Sequence, residues 1–173
     1  MSLKKFVVIP LIIAVLAFVI QIIDQLLSPI MQPDPNKGFC WIAFQAWAVY
    51  FLAGCTVQGG IKSIIGYAVG ITGSILIMNL AGVFSLFGFF AVAVAVAIVA
   101  CALIFLERTK WVNFIPAMFI GAGAFFAFMT YIPDATFVTA AITEIVYCAL
   151  GLLFGFVTVV LRTAYEKRVN EKK

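Results

Sequence analysis

Few residues of this chain could do chemistry, and two of them are acidic side chains inside apolar runs. Asp24 and Glu144 each stand among Val, Ile, Leu and Ala residues. A carboxylate in a lipid-embedded segment is unfavourable and persists mainly where it faces a partner or a water-filled cavity. We expect Glu144 to be the more function-sensitive, because Asp24 lies near enough to the end of its run to be hydrated. The uncharged side chains that could complete a solute path are Gln21, Gln45, Gln58 and Asn79.

Catalysis and metal binding lack their usual residues. The chain contains no histidine, which removes the commonest general base and transition-metal ligand. Its four cysteines show no CxxC spacing, and a thiol inside an apolar run behaves as a small hydrophobe. We therefore expect no enzyme active site, no metal centre and no cofactor.

The elements that position these residues must be embedded in lipid. Apolar residues make up 65% of the chain and charged residues 10%, against about 25% charged in an ordinary soluble domain. The mean hydropathy is +1.20 and the pI is near 9.0. The lipid bilayer is therefore the expected partner, and the basic excess is interpreted as a topology signal rather than as affinity for nucleic acid.

The apolar sequence divides into runs that each match one membrane crossing. A crossing needs about 20 residues, because a helix rises about 1.5 Å per residue and the hydrocarbon core is about 30 Å thick. This predicts an all-α bundle of six transmembrane helices in residues 1–161, followed by a charged cytoplasmic tail in residues 162–173. The expected chain reversal between the third and fourth runs lies near Asn79–Gly82. The runs are Phe6–Leu27, Phe39–Val57, Ser63–Leu80, Val83–Leu106, Trp111–Ile132 and Ala135–Leu161.

The basic residues orient the predicted bundle. Lys and Arg in short loops remain on the cytoplasmic side of a membrane. Six crossings place ten of the eleven basic residues on one side and leave Lys37 on the other. A five-crossing model would separate the basic tail from Lys4 and Lys5. The sequence therefore predicts a multi-pass protein with cytoplasmic N- and C-termini.

Glycine and proline mark where helices are expected to pack or bend. Gly66 and Gly70 form one GxxxG pair, and Gly151 and Gly155 form another, which is the spacing that lets helices approach closely in lipid. The partner helix could belong to the same chain or to a second copy in a homo-oligomer. Gly54–Gly60 is interpreted as ending in a Gly-Gly turn before Lys62, with irregular backbone as the alternative. Pro116 is expected to kink the fifth helix.

A weak internal similarity suggests a repeat. The sequence Trp41-Ile42-Ala43-Phe44 opens the second run, and Trp111-Val112-Asn113-Phe114 opens the fifth. Two repeats of three crossings each would be inverted relative to one another, as in several transporter folds. Coincidence in a sequence of low diversity is the alternative.

A family resemblance covers most of the chain from Trp41 to the sixth run. The end Gln58-Gly59-Gly60-Ile61-Lys62, the stretch from Phe114 to Ala122 and Gly151-Leu152-Leu153-Phe154-Gly155-Phe156 carry it. In these motifs the chain resembles the YcdZ-like bacterial inner-membrane proteins, grouped as domain of unknown function 1097. The resemblance implies a location in the bacterial cytoplasmic (inner) membrane and supplies no activity for any residue.

Two functions compete on this sequence. The first is a channel or transporter for a small polar or cationic solute, indicated by the six runs and by Glu144 within a run. The alternative is a non-transporting membrane scaffold or accessory subunit, which would use its glycine faces to hold a partner. A water-accessible cavity that reaches Glu144 would favour transport, and a solidly packed bundle would favour the scaffold.

Overall fold

The computed structural model describes residues 3–31 and 38–171, and this part of the chain folds as helices and turns without a β-strand. Two short 3₁₀ segments, Phe84–Phe90 and Phe105–Arg108, flank α5. The helices are α1 (Leu3–Phe6), α2 (Val8–Met31), α3 (Cys40–Leu52), α4 (Val57–Val83), α5 (Ala91–Ile104), α6 (Ile115–Tyr131) and α7 (Phe137–Glu171).

The surface of this bundle suits lipid rather than water. Three stretches are long and apolar enough to cross a membrane, and they are Val8–Met31, Val57–Arg108 and Phe137–Glu171. The second of them includes the chain reversal after α4. Large apolar side chains are exposed along the outside, among them Phe18 at 68% and Leu26 at 72%. So large an exposed apolar surface is typical of a membrane protein.

The reversal between α4 and α5 lies later than expected. The prediction of a turn at Asn79–Gly82 is wrong, because α4 continues through these residues to Val83. The chain turns in Phe84–Phe90, where Gly88 has φ 52° and ψ −122°, a conformation that side chains with a Cβ rarely adopt. Beyond it α5 runs antiparallel to α4, so that Ile77 packs with Val99.

The turn between α3 and α4 lies earlier than expected. Gly54 and Cys55 have φ values of 84° and 57°, so the irregular backbone comes before the predicted Gly-Gly turn. Thr56 then caps α4, its side-chain oxygen accepting a hydrogen bond from the Gly59 amide at 3.0 Å. The predicted turn at Gly59 and Gly60 is wrong, because both residues belong to the first turn of α4.

Pro116 does not kink a helix. It is the second residue of α6, two positions after the N-cap residue Phe114. At that position the missing N–H has no intrahelical acceptor in any case, and the fixed φ of proline suits the helix. The predicted kink is therefore wrong, and the residues from Trp111 to Phe114 lie outside the helix.

Two parallel helix pairs form the centre of the bundle. A Cβ added to Gly66 would lie 2.7 Å from the Cβ of Ala117, so α4 touches α6 there. A Cβ added to Gly155 would lie 2.6 Å from the Cβ of Tyr50, so α7 touches α3 in the same way. Gly70 and Gly151 meet backbone carbonyl oxygens of the partner helix too closely to admit any side chain. All four glycines thus lie at helix contacts within the chain.

Contacts at one end bring basic segments together. The Lys62 ammonium donates a hydrogen bond to the Asn113 side chain at 3.0 Å, joining the starts of α4 and α6. The Tyr165 hydroxyl donates to the Lys5 carbonyl oxygen at 2.6 Å, joining α7 to α1. Together with the two parallel pairs and the antiparallel packing of α5 on α4, these contacts show that α2 to α7 alternate in direction, and that Lys5 and Lys62 lie towards the same end.

Candidate functional site

Glu144 lies in the interior of the bundle. It sits on α7, is 0% exposed, and neither carboxyl oxygen has a hydrogen-bond partner among the described residues. Ala140 and Cys148, one turn away on either side, are buried on the same face. A buried polar group without a partner destabilises a fold by about 1–3 kcal/mol, and by more if it is charged. The carboxyl group therefore contributes no structural bond here.

Tyr67 is the second polar group at this site, and sequence reasoning missed it. It is 0% exposed on α4, and its hydroxyl also lacks a partner within the described chain. Tyr67 packs in one buried cluster with Cys148, one turn from Glu144 on α7, and Ile145, the neighbour of Glu144, packs against that cluster. A Cβ added to Gly121 would lie 2.8 Å from the Tyr67 Cα, so this glycine allows α6 to press against the helix that carries the phenol. The available signal was a tyrosine beside Gly66 inside an apolar run.

No positive charge compensates Glu144 from within the described bundle. Where the structure describes a Lys or Arg side chain, that side chain is not buried. Lys62 bonds Asn113 at the end of the bundle, and Arg162 pairs with Glu166 at 2.9 Å on the exposed end of α7. An ionised carboxylate at Glu144 would therefore be an uncompensated charge in an apolar interior.

Asp24 has a different environment, with two short hydrogen bonds to one of its oxygens. It is 2% exposed, so the expectation that water hydrates it is wrong. One carboxyl oxygen accepts hydrogen bonds from the Phe39 backbone N–H at 2.9 Å and from the Tyr147 hydroxyl at 2.6 Å. Gly38 fits beside it because a Cβ there would collide with the other carboxyl oxygen. Asp24 thus joins α2, the start of α3 and α7.

Aromatic rings pack around this junction. The Phe39 ring stacks on Phe128 with centroids 5.1 Å apart, and it meets the edge of Tyr147 at 5.7 Å. These three rings come from α6, α7 and the residue before α3. Tyr147 lies one helical turn from Glu144 on α7, so the junction and the unpartnered carboxyl group share one rigid segment.

The other predicted path residues do not meet Glu144. Gln21 reaches the second oxygen of Asp24 only at 3.5 Å, and its side chain is otherwise exposed. Asn79 donates to the Ile75 carbonyl oxygen of its own helix at 2.9 Å. Gln45 and Gln58 are exposed as well. These four side chains lie on the outside of the bundle, whereas Glu144 lies inside it.

The cavities in the structure are apolar. One of about 280 Å³ lies among α4, α5 and α6. Four further cavities are likewise lined mostly by apolar atoms, and Glu144 lines none of these five cavities. Among the described residues no group of three His, Cys, Asp or Glu side chains could hold a metal ion. In this conformation Glu144 is thus closed off from these spaces.

Comparisons with known proteins place the chain in one family. No curated protein and no solved structure matches it. The family model described as "Protein of unknown function (DUF1097)" matches residues 8–162. Because that match covers most of the chain, including every helix from α2 to α6 and the buried part of α7, the protein belongs to this family.

Proposed function

We propose that the protein is a membrane transporter that moves a small polar or cationic solute past Glu144. The observation that carries this proposal is the burial of that carboxyl group without a partner. An ionisable group within a membrane segment marks a functional site by default, because it is unfavourable there and has to face a ligand or a relay. Asp24 illustrates the structural alternative, since one of its oxygens accepts two hydrogen bonds that join helices.

The proposed topology has six crossings with both termini in the cytoplasm. Two features support it, the alternating direction of the helices and the position of Lys5 and Lys62 towards one end. Basic residues collect on the cytoplasmic side of a bilayer. The short helices α3 and α6 would cross together with their non-helical flanks.

The proposed architecture is an inverted repeat of α2–α4 and α5–α7. In this repeat α2 corresponds to α5, α3 to α6 and α4 to α7. The contact between α3 and α7 therefore corresponds to the contact between α6 and α4, and these are the two most extensive helix pairs in the structure. In the same way the contact between α2 and α7 corresponds to the contact between α5 and α4. Each half contributes one GxxxG pair, Gly66 with Gly70 and Gly151 with Gly155. Tyr67 and Glu144 then face each other on equivalent helices, at the repeat interface where transporters bind substrate.

The enclosed position of Glu144 favours a carrier over an open pore. A pore lining would be exposed to water along its length, whereas Glu144 is 0% exposed. A carrier has occluded states, and the aromatic contacts of Phe39 with Phe128 and Tyr147 supply a closure on the side where α2 ends. Access from either side then requires the halves to move relative to each other.

Solute uptake into proteoliposomes tests this function. The panel contains monovalent cations, small amines and small neutral polar compounds. We expect saturable uptake of at least one class, reduced in Glu144→Gln to the rate of protein-free vesicles, and unchanged in the control Gln45→Leu on the outside of α3. Uptake of every panel compound at the rate of protein-free vesicles by folded parent protein would contradict the proposal.

The scaffold or accessory subunit is the alternative that the same assay separates. The scaffold hypothesis relied on GxxxG faces that are free to bind a partner protein. All four glycines of the two GxxxG pairs instead contact helices of the same chain. A scaffold also gives no reason for an unpartnered carboxyl group in the interior, since an apolar side chain would pack there at lower free energy.

A further inference from the structure

The interior polar atoms without partners are concentrated on two facing helices. Within the described part of the chain they are both oxygens of Glu144, the Tyr67 hydroxyl and the Trp47 indole N–H. The first three belong to α7 and α4, which are in contact, and Tyr67 packs with Cys148, one turn from Glu144. The Trp47 ring instead packs between Phe44 and Phe154. Glu144 and Tyr67 therefore form one site, and its occupant can be inferred from charge, ligand number and space.

Charge requires that the occupant neutralise a carboxylate. The idealised free energy of moving such an ion into an apolar medium is on the order of tens of kcal/mol, so an isolated buried ion is neutralised or paired. The described Lys and Arg side chains do not reach the interior. Among the described residues no side chain supplies the neutralising charge, which leaves a proton or a metal cation as its source.

Ligand number disfavours the metal cation. Hard divalent cations such as calcium take about 6–8 oxygen ligands, and magnesium takes about six. This site offers one carboxyl group and one phenol, and no cluster of three acidic, His or Cys groups occurs within the described residues. A proton needs a single oxygen.

Space points the same way. Glu144 is 0% exposed and lines none of the five cavities described above. A solute of several atoms would need a cavity beside the carboxyl group in this conformation. A proton needs none, and the Tyr67 hydroxyl is a group on the neighbouring helix that can donate a hydrogen bond to an ionised carboxylate.

The buried titratable groups on the helices packed around Glu144 are acids, whereas the described cations on these helices, Lys62 on α4 and Arg162, Lys167 and Arg168 on α7, are not buried and lie towards the helix ends. In the described residues α2 contributes Asp24, which is already bonded to Tyr147. The other buried acids are Cys40 and Tyr50 on α3, Tyr67 on α4, and Tyr147 and Cys148 on α7 itself, while Tyr131 lies at the exposed end of α6. Glu144 is thus the carboxyl group of this region that lacks a hydrogen-bond partner.

We propose that Glu144 and Tyr67 form a proton-binding site and that protons are the coupling ion of the transporter. This inference rests on the function proposed above. In one step the Glu144 carboxylate takes a proton from a hydronium ion on one side of the membrane, so that an O–H bond of hydronium breaks, an O–H bond on Glu144 forms and a water molecule is left. In the return step that bond breaks and the proton passes to water on the other side, while the Tyr67 hydroxyl donates a hydrogen bond to the carboxylate. No electrons are exchanged.

Infrared difference spectroscopy of the full chain in lipid tests the site with protons alone, without any solute. We expect a C=O stretching band of a protonated carboxylic acid that titrates with pH, shifts in D₂O and is absent in Glu144→Gln. Asp24→Asn is the control and should retain the band. Tyr67→Phe should keep the band and move its midpoint to higher pH, because the ionised form loses a donor.

Stability measurements keep this test decisive. Glu144→Gln preserves the shape of the side chain, so its thermal unfolding temperature should equal or exceed that of the parent protein. If Glu144→Gln fails to fold, Tyr67→Phe reports on the same site. A parent protein without a titrating band, or with a band that Glu144→Gln retains, overturns the proton-binding site.

Coupling is tested with the solute that the proteoliposome assay identifies, with and without an imposed pH gradient. Uptake that follows the gradient supports the inference. Uptake that ignores the gradient overturns proton coupling while the proposed transport function stands. A titrating Glu144 together with no uptake of any compound would instead contradict transport, and coupling with it, while the proton-binding site stands.

Discussion

Individual residues in this bundle show two different uses of a buried carboxyl group. Asp24 joins three helices through hydrogen bonds to the Phe39 amide and the Tyr147 hydroxyl. Glu144 makes no such bond within the described chain. The first arrangement stabilises the fold, and the second leaves the carboxyl group available for chemistry. Opposite effects of mutation on stability should follow.

Replacing Asp24 should destabilise the protein. Asp24→Ala leaves the Phe39 N–H and the Tyr147 hydroxyl buried without acceptors, at about 1–3 kcal/mol for each group. We expect a clear fall in the thermal unfolding temperature in detergent, followed by circular dichroism. Gln21→Ala is the control, because the contact of Gln21 with Asp24 is long at 3.5 Å. Parent-like stability of Asp24→Ala would mean that this junction contributes nothing to folding.

Replacing Glu144 should stabilise the protein while abolishing its function. Glu144→Leu removes an unpartnered polar group and fills the same interior position with apolar atoms, so stability should stay equal or rise by about 1–3 kcal/mol. Thermal unfolding and solute uptake should be measured on the same preparation. A Glu144→Leu protein that is much less stable than the parent would show that the carboxyl group has a structural partner.

Helix contacts depend on the absence of a single methyl group at particular glycines. Gly151 lies against the Ala43 carbonyl oxygen and the Ala46 Cβ, where an added Cβ would overlap both. Gly123, on α6, has no atom within 4 Å of the same added atom. The two positions therefore form a matched pair for one substitution.

Alanine at these two glycines should have opposite effects. Gly151→Ala should separate α3 from α7 and lower thermal stability, because the obstructing atoms include a rigid backbone carbonyl. Gly123→Ala should be neutral or stabilising by about 0.5–1 kcal/mol, since alanine favours the helix. Detergent thermal melts compare the two, and an equal response would show that packing at Gly151 is loose.

The sequence predicted the helical runs better than it predicted their ends. Hydropathy identifies a run whichever side of a helix faces lipid, so α2, α4 and α7 follow directly from composition. Helix ends depend on backbone geometry that leaves no apolar signature. The reversal at Gly88 was placed too early for this reason, since its surroundings are phenylalanines without charge or proline.

The site was predicted in part. Glu144 was found because a charge in an apolar run is conspicuous. Tyr67 was missed because a tyrosine is ordinary in such a run, and only the packing of α4 against α7 reveals its unpartnered hydroxyl. The interior role of Asp24 depends on residues distant in sequence, Phe39 and Tyr147, which a one-dimensional pattern does not bring together.

At the scale of the whole molecule, the proposed topology places the loop near Thr109 and the tail near Asn170 in the cytoplasm. In a cysteine-free background, Thr109→Cys and Asn170→Cys should resist an impermeant thiol reagent added outside intact cells. Asn36→Cys should react, because it lies in the loop between the first two predicted crossings. Membrane disruption should make all three reactive, which controls for buried thiols. Labelling of Asn170→Cys from outside would contradict six crossings.

α7 is much longer than one membrane crossing requires. This helix has 35 residues and extends about 52 Å, well beyond a hydrocarbon core of about 30 Å. Ion pairs from Arg162 to Glu166 and from Lys167 to Glu171 reinforce its far end, and Tyr165 fastens that end to Lys5. A tilt of α7 about Glu144 would therefore displace the far end of the helix further than it displaces Glu144 itself. A fluorophore attached at that end would report on movement in the interior from the aqueous phase.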